Sequence, residues 1–556
     1  MSQRILCRFA LILSASLVLL SGCAVGPDYV PPTAAEAAAF KESGPWKKAE
    51  PRDDISKGDW YTVFHDPKLN ELEAQAQTAS QTLRAAVARV SEARAVARQA
   101  EADFFPSIDF TGTAVRERTS PNDGSAVAES SGFGGNSSNT TGTGSGTTTG
   151  TGTGTGTGGT TTGSSNSTSS TIGGGGTTAH TFNSFTVVPF DLSYEVDLWG
   201  KVRRAFEASG DQAQASLADY ENMLLTLKAD VATNYFALRT ADSQIDVQRR
   251  TIQSYVENLN LTNSRFQGGI STQLDVEQAR ATLAAAQAQL ATLEQSRAQL
   301  EHGLAVLVGQ PPETFSLPFH PLNTRLPVIP AGLPSDLLER RPDVSEAERR
   351  VAAQNAEIGL AIAAYFPQVN LTGQTGFDSG DVGLLFNWES RIWSYGPNIQ
   401  FPIFEGGRIS ANVKNQRAAY EENVADYRQQ VLVAFQDVED SLSALKYLAQ
   451  QSEAENRAYQ SYQKALDLTN ARYTTGLVSY FDVITAQGLA LGAEQLTVQI
   501  EGNRIAGTIR LIKAVGGGWA DSSITKPHHG NHVAAPLAAP TVLGPAAGSP
   551  IPVANP

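Results

Sequence analysis

Only two cysteines, Cys7 and Cys23, occur in 556 residues, and the seven histidines leave little for a metal or redox centre. The apolar stretch from Phe9 to Leu20 is too short to span a bilayer as a helix. Lys and Arg number 42 against 56 Asp and Glu, and no basic patch suggests nucleic acid. No G-x-x-x-x-G-K-[ST] loop is present to cradle a phosphate, so any energy must come from a partner. No recognisable constellation of His, Ser or carboxylate groups marks a catalytic pocket, so the expectation is a protein that is not an enzyme and carries no cofactor.

What the chain does have is a duplication. Arg265, Phe266, Gly269, Leu274, Asp275 and Val276 return as Arg472, Tyr473, Gly476, Phe481, Asp482 and Val483, each 472 − 265 = 207 residues later. Gly200 returns as Gly407 and Gly309 as Gly516 at the same offset, whereas Phe105-Pro106 matches Phe366-Pro367 at 261. The first copy therefore carries 261 − 207 = 54 extra residues. They lie in a tract where, across 141–178, every position except Asn166 and Ile172 is Gly, Ser or Thr. Such a composition cannot bury a core and predicts a disordered insertion.

Arg4 and Arg8 precede the short apolar stretch, which gives the first 22 residues the form of a signal peptide. Leu20-Ser21-Gly22-Cys23 fits the bacterial lipobox, so Cys23 is the expected site of lipid attachment and Cys7 leaves with the signal. Ala24 after the cysteine resembles the enteric pattern for outer-membrane sorting. Loss of Arg4 and Arg8 takes the formal charge from −14 to −16. That acidity serves solubility, or it lines a lumen that favours cations.

Leu217, Leu224, Val231, Leu238, Ile245, Ile252, Leu259 and Phe266 are apolar at steps of seven, and the positions 207 residues on repeat the seam with Ser452 as the one polar interruption. Heptads held this long predict rods that supercoil against neighbours. Asp230, Arg239 and Arg249 keep the rod in water. The glycines of Gln267-Gly268-Gly269-Ile270 and Thr474-Thr475-Gly476-Leu477 predict chain reversals, followed by helices over 273–308 and 481–515. Further helices are expected over 68–104 and 335–364, and strands over 105–116, 182–198, 366–377 and 393–404. Leu192, Tyr194, Val196 and Leu198 alternate with Asp191, Ser193, Glu195 and Asp197, a strand with one apolar face. Trp199, Trp388 and Trp393 are candidates for the membrane interface. Four strands cannot close a barrel in lipid, so several copies must share one. Three copies give twelve strands and two give eight, and both remain open on these grounds.

Cys23-Ala24-Val25-Gly26-Pro27-Asp28-Tyr29, Leu337-Leu338-Glu339-Arg340-Arg341-Pro342-Asp343-Val344, Tyr365-Phe366-Pro367 and Gly516-Gly517-Gly518-Trp519 resemble the outer membrane factor lipoproteins of the TolC and OprM type, particularly the NodT-like branch. The resemblance covers about residues 20–519. It implies an α+β membrane protein: a homotrimer whose long coiled α-helical barrel continues a transmembrane β-barrel, with four strands from each chain. It also implies a passive conduit in the outer membrane of a Gram-negative bacterium, lipid-anchored and reaching into the periplasm, working with a periplasmic adaptor protein and an inner-membrane pump. The corresponding organisation is a signal peptide (1–22), an equatorial segment (23–66), a first repeat (67–309, with the low-complexity loop at about 121–180), a linker (310–333), a second repeat (334–519) and an Ala/Pro-rich tail (520–556).

Two groups of site residues follow. Gly269, Ile270 and Ser271, with Gly476, Leu477, Val478 and Ser479, resemble the family's adaptor-docking loops at the periplasmic tip. Leu274, Asp275, Phe481, Asp482 and Thr485 are the candidate gate, with Thr485 standing before Ala486-Gln487 where the OprM-type pattern has an acidic residue. His528, His529 and His532 have no ordered ligands nearby, and no metal site is assigned. The alternatives are a type I secretion conduit for polypeptides and a structural coiled-coil lipoprotein. The second leaves the paired strands unexplained.

Overall fold

The computed structural model describes residues 24–33, 59–118, 181–323 and 341–517. The signal peptide, Cys23, the Gly/Ser/Thr tract and the tail after Gly517 lie outside these residues. The chain divides into a helical unit (Met1–Phe104, Asp197–Pro367 and Gln400–Pro556) and a strand unit (Phe105–Val196 and Gln368–Ile399).

In the helical unit the described helices are α1 (Pro67–Ala79), α2 (Gln81–Ala102), α3 (Lys201–Gln267), α4 (Gln273–Leu307), α5 (Pro342–Ala363), α6 (Arg408–Thr474) and α7 (Tyr480–Ala514). Both ends of α3 and α4 lie 207 residues before those of α6 and α7, and both ends of α2 lie 261 before those of α5. The duplication is thus one of whole elements. At 67 residues each, α3 and α6 are about 100 Å long. No described helix is long and apolar enough to cross a membrane.

The heptad seam explains the packing. Val231 and Leu238 of α3 are buried together with Tyr235 and Phe236, against Leu69 and Leu72 of α1 and Leu304 of α4, and Ile245 of the same seam is buried as well. Each fully buried side chain of this size stabilises the fold by roughly 1.5–3 kcal/mol. Ser452, the polar step in the seam, is buried in α6 and accepts from Arg504 Nη1 at 3.5 Å.

Three expectations need correction, one of them the strand expected over 393–404, which runs over Arg391–Gln400 and stops short of Phe401–Phe404. The helix expected over 68–104 is broken at Ser80, whose Oγ accepts from Leu83 N at 3.4 Å and caps a second helix. The alternating strand stops at Glu195 rather than 198. Asp197 then turns its carboxylate to the start of α3, accepting from Val202 N at 3.3 Å and Arg203 N at 3.1 Å.

Residues 24–33 lie along the helices. Val25 N donates to Trp199 O (3.0 Å), Asn355 Nδ2 to Pro27 O (2.9 Å), and Arg204 pairs with Asp28 (2.8 Å). Gly26 has φ +103°, and a Cβ there would sit 2.5 Å from Gly359 Cα, so two backbones cross where no side chain fits.

A second docked segment belongs to the linker. Asp242 of α3, fully buried, accepts from Arg239 Nη1 (3.1 Å), Arg297 Nε (2.6 Å) and His320 N (3.0 Å). The two arginines also donate to Pro318 O (2.8 Å) and Leu317 O (2.9 Å), and Glu301 accepts from Leu317 N (2.6 Å).

The strand unit is one antiparallel sheet of β1 (Ser107–Arg118), β2 (Thr181–Glu195), β3 (Gln368–Ser379) and β4 (Arg391–Gln400), in that spatial order. Register runs from Ser107↔Ser193 in the first pair and Glu195↔Asn370 in the second. Among the described residues the outer edges of β1 and β4 have no strand beside them. Phe110, Ile108, Phe190, Ile399 and Tyr395 are exposed large apolar side chains on this sheet. Trp388 and Trp393 are exposed too, the first under the Arg391 guanidinium at 3.6 Å and the second stacked on Tyr395 at 5.6 Å. Trp199 belongs to the helical unit, stacked on Phe366 at 4.8 Å.

Candidate functional site

The two glycine turns have the same construction. After α3, Gly269 takes φ +73° and Ile270 N donates to Arg265 O at 2.8 Å; after α6, Gly476 takes φ +79° and Leu477 N donates to Arg472 O at 2.9 Å. In each, the left-handed glycine ends the helix and the following amide satisfies one of its last carbonyls. A capping box then starts the return helix. Thr272 N and Oγ1 donate to Asp275 Oδ2 (2.8 and 2.9 Å), and Ser479 N and Oγ donate to Asp482 Oδ2 (2.9 and 2.7 Å). Those hydrogen bonds from Ser479 hold the Asp482 carboxyl below the usual carboxylate range, so it keeps its charge at neutral pH.

The turns also meet. Arg265 Nη1 donates to Tyr473 O at 2.8 Å while its guanidinium lies 4.5 Å from the Tyr473 ring. Tyr473, Tyr480, Val483 and Ala279 form a small buried cluster, with Leu259, Val478 and Ile484 against it. A ladder of polar contacts continues from this clasp along α3 and α7. Asn258 donates to Gln487 (3.0 Å), Arg250 pairs with Glu494 (2.9 Å), Gln495 donates to Gln248 (2.8 Å), and Gln244 donates to Gln499 (2.9 Å).

Of the residues named from sequence, Val478 packs against the buried cluster, and Asp275 and Asp482 complete the capping boxes whose N-caps are Thr272 and Ser479. Leu274 and Phe481 occupy equivalent positions one residue before those aspartates and remain 65% and 64% exposed. Ile270 and Leu477, at the turns, are more exposed still. Thr485 lies one turn beyond Phe481 and donates to its carbonyl at 2.8 Å. The structure adds Arg265, Tyr473, Tyr480, Asn258 and Gln487, which join the turns. The repeat displays Arg265 and Tyr473, but their contact joins two elements 208 residues apart and no local pattern reports it.

Comparison with known proteins accords with this architecture. The outer membrane efflux protein family model matches residues 155–310 and 333–517. The chain is 30% identical over 516 residues to the probable efflux pump outer membrane protein TtgC of Pseudomonas putida, covering 92% of this chain and 96% of that protein. Its fold resembles that of the outer-membrane channel OprN, with TM-score 0.75 and 26% identity over 89% of this chain and all of the other. It also resembles the open state of the MtrE outer membrane channel of Neisseria gonorrhoeae, with TM-score 0.70 and 26% identity over 89% of this chain and 98% of that one.

Proposed function

The chain belongs to the outer membrane efflux protein family, and from that premise we propose that three copies assemble into the passive outer-membrane duct of a tripartite efflux system. The observation that carries this is the sheet: four strands with open edges at β1 and β4 and large exposed apolar side chains. Such edges cannot stand alone in hydrocarbon, and copies joined edge to edge remove them. Twelve strands is a size known for bacterial outer-membrane barrels. The relatives are efflux channels, and the duct likewise moves its cargo chemically unchanged. Planar-bilayer recordings of the purified protein should show discrete ion-conducting events with a native mass of three chains. A protein that inserts without conducting is not a duct.

The tip turns, with Ile270 and Leu477 presented to solvent, form the surface that a periplasmic adaptor protein contacts, and the adaptor links the duct to its inner-membrane pump. Leu274, Asp275, Phe481, Asp482 and Thr485 narrow the lumen just inside those turns. An adaptor that binds the open form more tightly shifts the population toward it.

Cys23 is the lipid attachment site. Val25, two residues on, is hydrogen-bonded to Trp199, which holds the start of the mature chain beside the first turn of α3. Cys23→Ser should abolish incorporation of labelled palmitate while leaving barrel insertion intact. Label retained in Cys23→Ser assigns the lipid to another residue.

A further inference from the structure

The sheet has two chemically different faces, and one of them carries an arginine with no acceptor. On the polar face Asp378 accepts from Ser184 Oγ at 3.3 Å and Thr186 Oγ1 at 3.0 Å, and Gln374 and Asn370 lie opposite Asp191 and Glu195. On the other face Phe377 lies opposite Val187, Gly373 opposite Leu192 and Leu371 opposite Tyr194. A Cβ on Gly373 would meet the Tyr395 Cβ at 3.9 Å, so Tyr395 belongs to this apolar face. Trp393, stacked on Tyr395, and Arg391 share it at steps of two along β4.

The connection between β3 and β4 extends that face. β3 begins and β4 ends where the chain passes to the helical unit, so residues 380–390 join the strands at the opposite end of the sheet. The connection is tied internally: Asp381 Oδ1 accepts from Gly383 N at 2.8 Å, Ser390 Oγ donates to Leu384 O at 2.8 Å, and Leu385 is buried. Phe386 meets Phe377 edge to face with ring centres 5.7 Å apart, which puts it on the apolar side. Trp388 is exposed, and the Arg391 guanidinium lies over its ring at 3.6 Å.

Three other arginines lie over aromatic rings, and each has an acceptor as well. Arg239 donates to Asp242, Arg249 to Glu294 and Arg265 to Tyr473 O. Arg391 has no acceptor among the described residues, and Glu389, two residues before it, forms no ion pair with it. A planar guanidinium set this close against an indole keeps its N–H groups free at its edge. The result is an empty donor fork standing at the end of an apolar face.

Resting on the membrane barrel proposed above, we propose that Arg391 and Trp388 bind a phosphate of an outer-leaflet glycolipid whose acyl chains lie along Phe386, Trp393 and Tyr395. A phosphate offers the paired oxygens that a guanidinium fork takes in two parallel hydrogen bonds. Tryptophan suits the boundary where headgroup meets hydrocarbon. Phospholipids of the inner leaflet also carry phosphate, but that leaflet meets the sheet at the end from which the helices leave.

The test titrates bisphosphorylated lipid A into the full-length protein in detergent and follows bound lipid by native mass spectrometry. The parent should retain lipid A, and Arg391→Ala should bind it roughly tenfold more weakly, the effect of losing a hydrogen bond to a charged group. Arg391→Lys, which keeps the charge without the flat fork, should fall between, and Trp388→Ala should weaken binding too. Arg457→Ala, on an exposed arginine of α6 already paired with Glu453, should match the parent. Equal retention by Arg391→Ala and the parent overturns the site. Phosphatidylglycerol held as tightly as lipid A, or lipid A displaced by millimolar inorganic phosphate, overturns the choice of a glycolipid. Bilayer conductance of the same preparations separates this site from the duct. A parent that conducts without retaining lipid A overturns the site and leaves the duct standing, and retention without conductance does the reverse.

Discussion

Asp242→Ala should destabilise the helical unit by about 3–5 kcal/mol, the cost of removing one partner from a buried ion pair. The carboxylate has no solvent exposure, and its loss leaves Arg239, itself almost fully buried, without its charge partner. It also strips an acceptor from Arg297 Nε and His320 N, so the segment around 317–322 loses part of its dock. Asp242→Asn keeps the shape but not the charge, and should cost less. The measurements are the denaturation midpoint of the detergent-solubilised protein and limited proteolysis near residue 320. A midpoint unchanged in Asp242→Ala would show that the two arginines find other acceptors.

On the gate proposed above, Phe481→Ala should raise single-channel conductance, and adding Asp482→Ala should raise it further. Phe481 is largely exposed within one chain, which is the condition for a side chain that faces a lumen. Its neighbour Asp482, whose carboxyl the Ser479 hydrogen bonds hold below the usual range, carries its charge at neutral pH. Asp482→Ala also removes the reciprocal half of the capping box that starts α7, while the N-cap Ser479 stays in place. The double variant therefore needs a check of α7 by hydrogen exchange before its conductance is read. Low conductance unchanged in both variants puts the constriction elsewhere.

Much of this fold was legible in the sequence, for a physical reason. A heptad seam maintained from Leu217 to Phe266 admits one periodicity, and the glycines at 269 and 476 admit few backbone shapes, so the long helices and their turns could be located closely. Ser80 was missed because the helical apolar pattern continues through it. Only the local competition of its side chain for an amide reveals the break. Alternation places Leu198 in the strand because the pattern continues past the point where the Asp197 carboxylate turns to the start of α3. At the site, Asp275 and Asp482 could be found from the repeat, whereas the contact of Arg265 with Tyr473 depends on how α3 and α6 pack. The buried charge of Asp242 was likewise invisible, since a heptad records which face is apolar and not which ions lie beside it.

The strap formed by residues 24–33 has a consequence for the order in which the protein is built. Asn355, which holds Pro27, is made 328 residues later, and Gly359, against which Gly26 crosses, later still. The first mature residues to leave the ribosome therefore have no berth until most of the chain has followed. On the lipid anchor proposed above, that waiting segment is a mooring line that ties the chain to a membrane. Closure of Gly26 onto Gly359 must therefore wait for α5, and a chain that stops short of α5 has no surface to receive the strap.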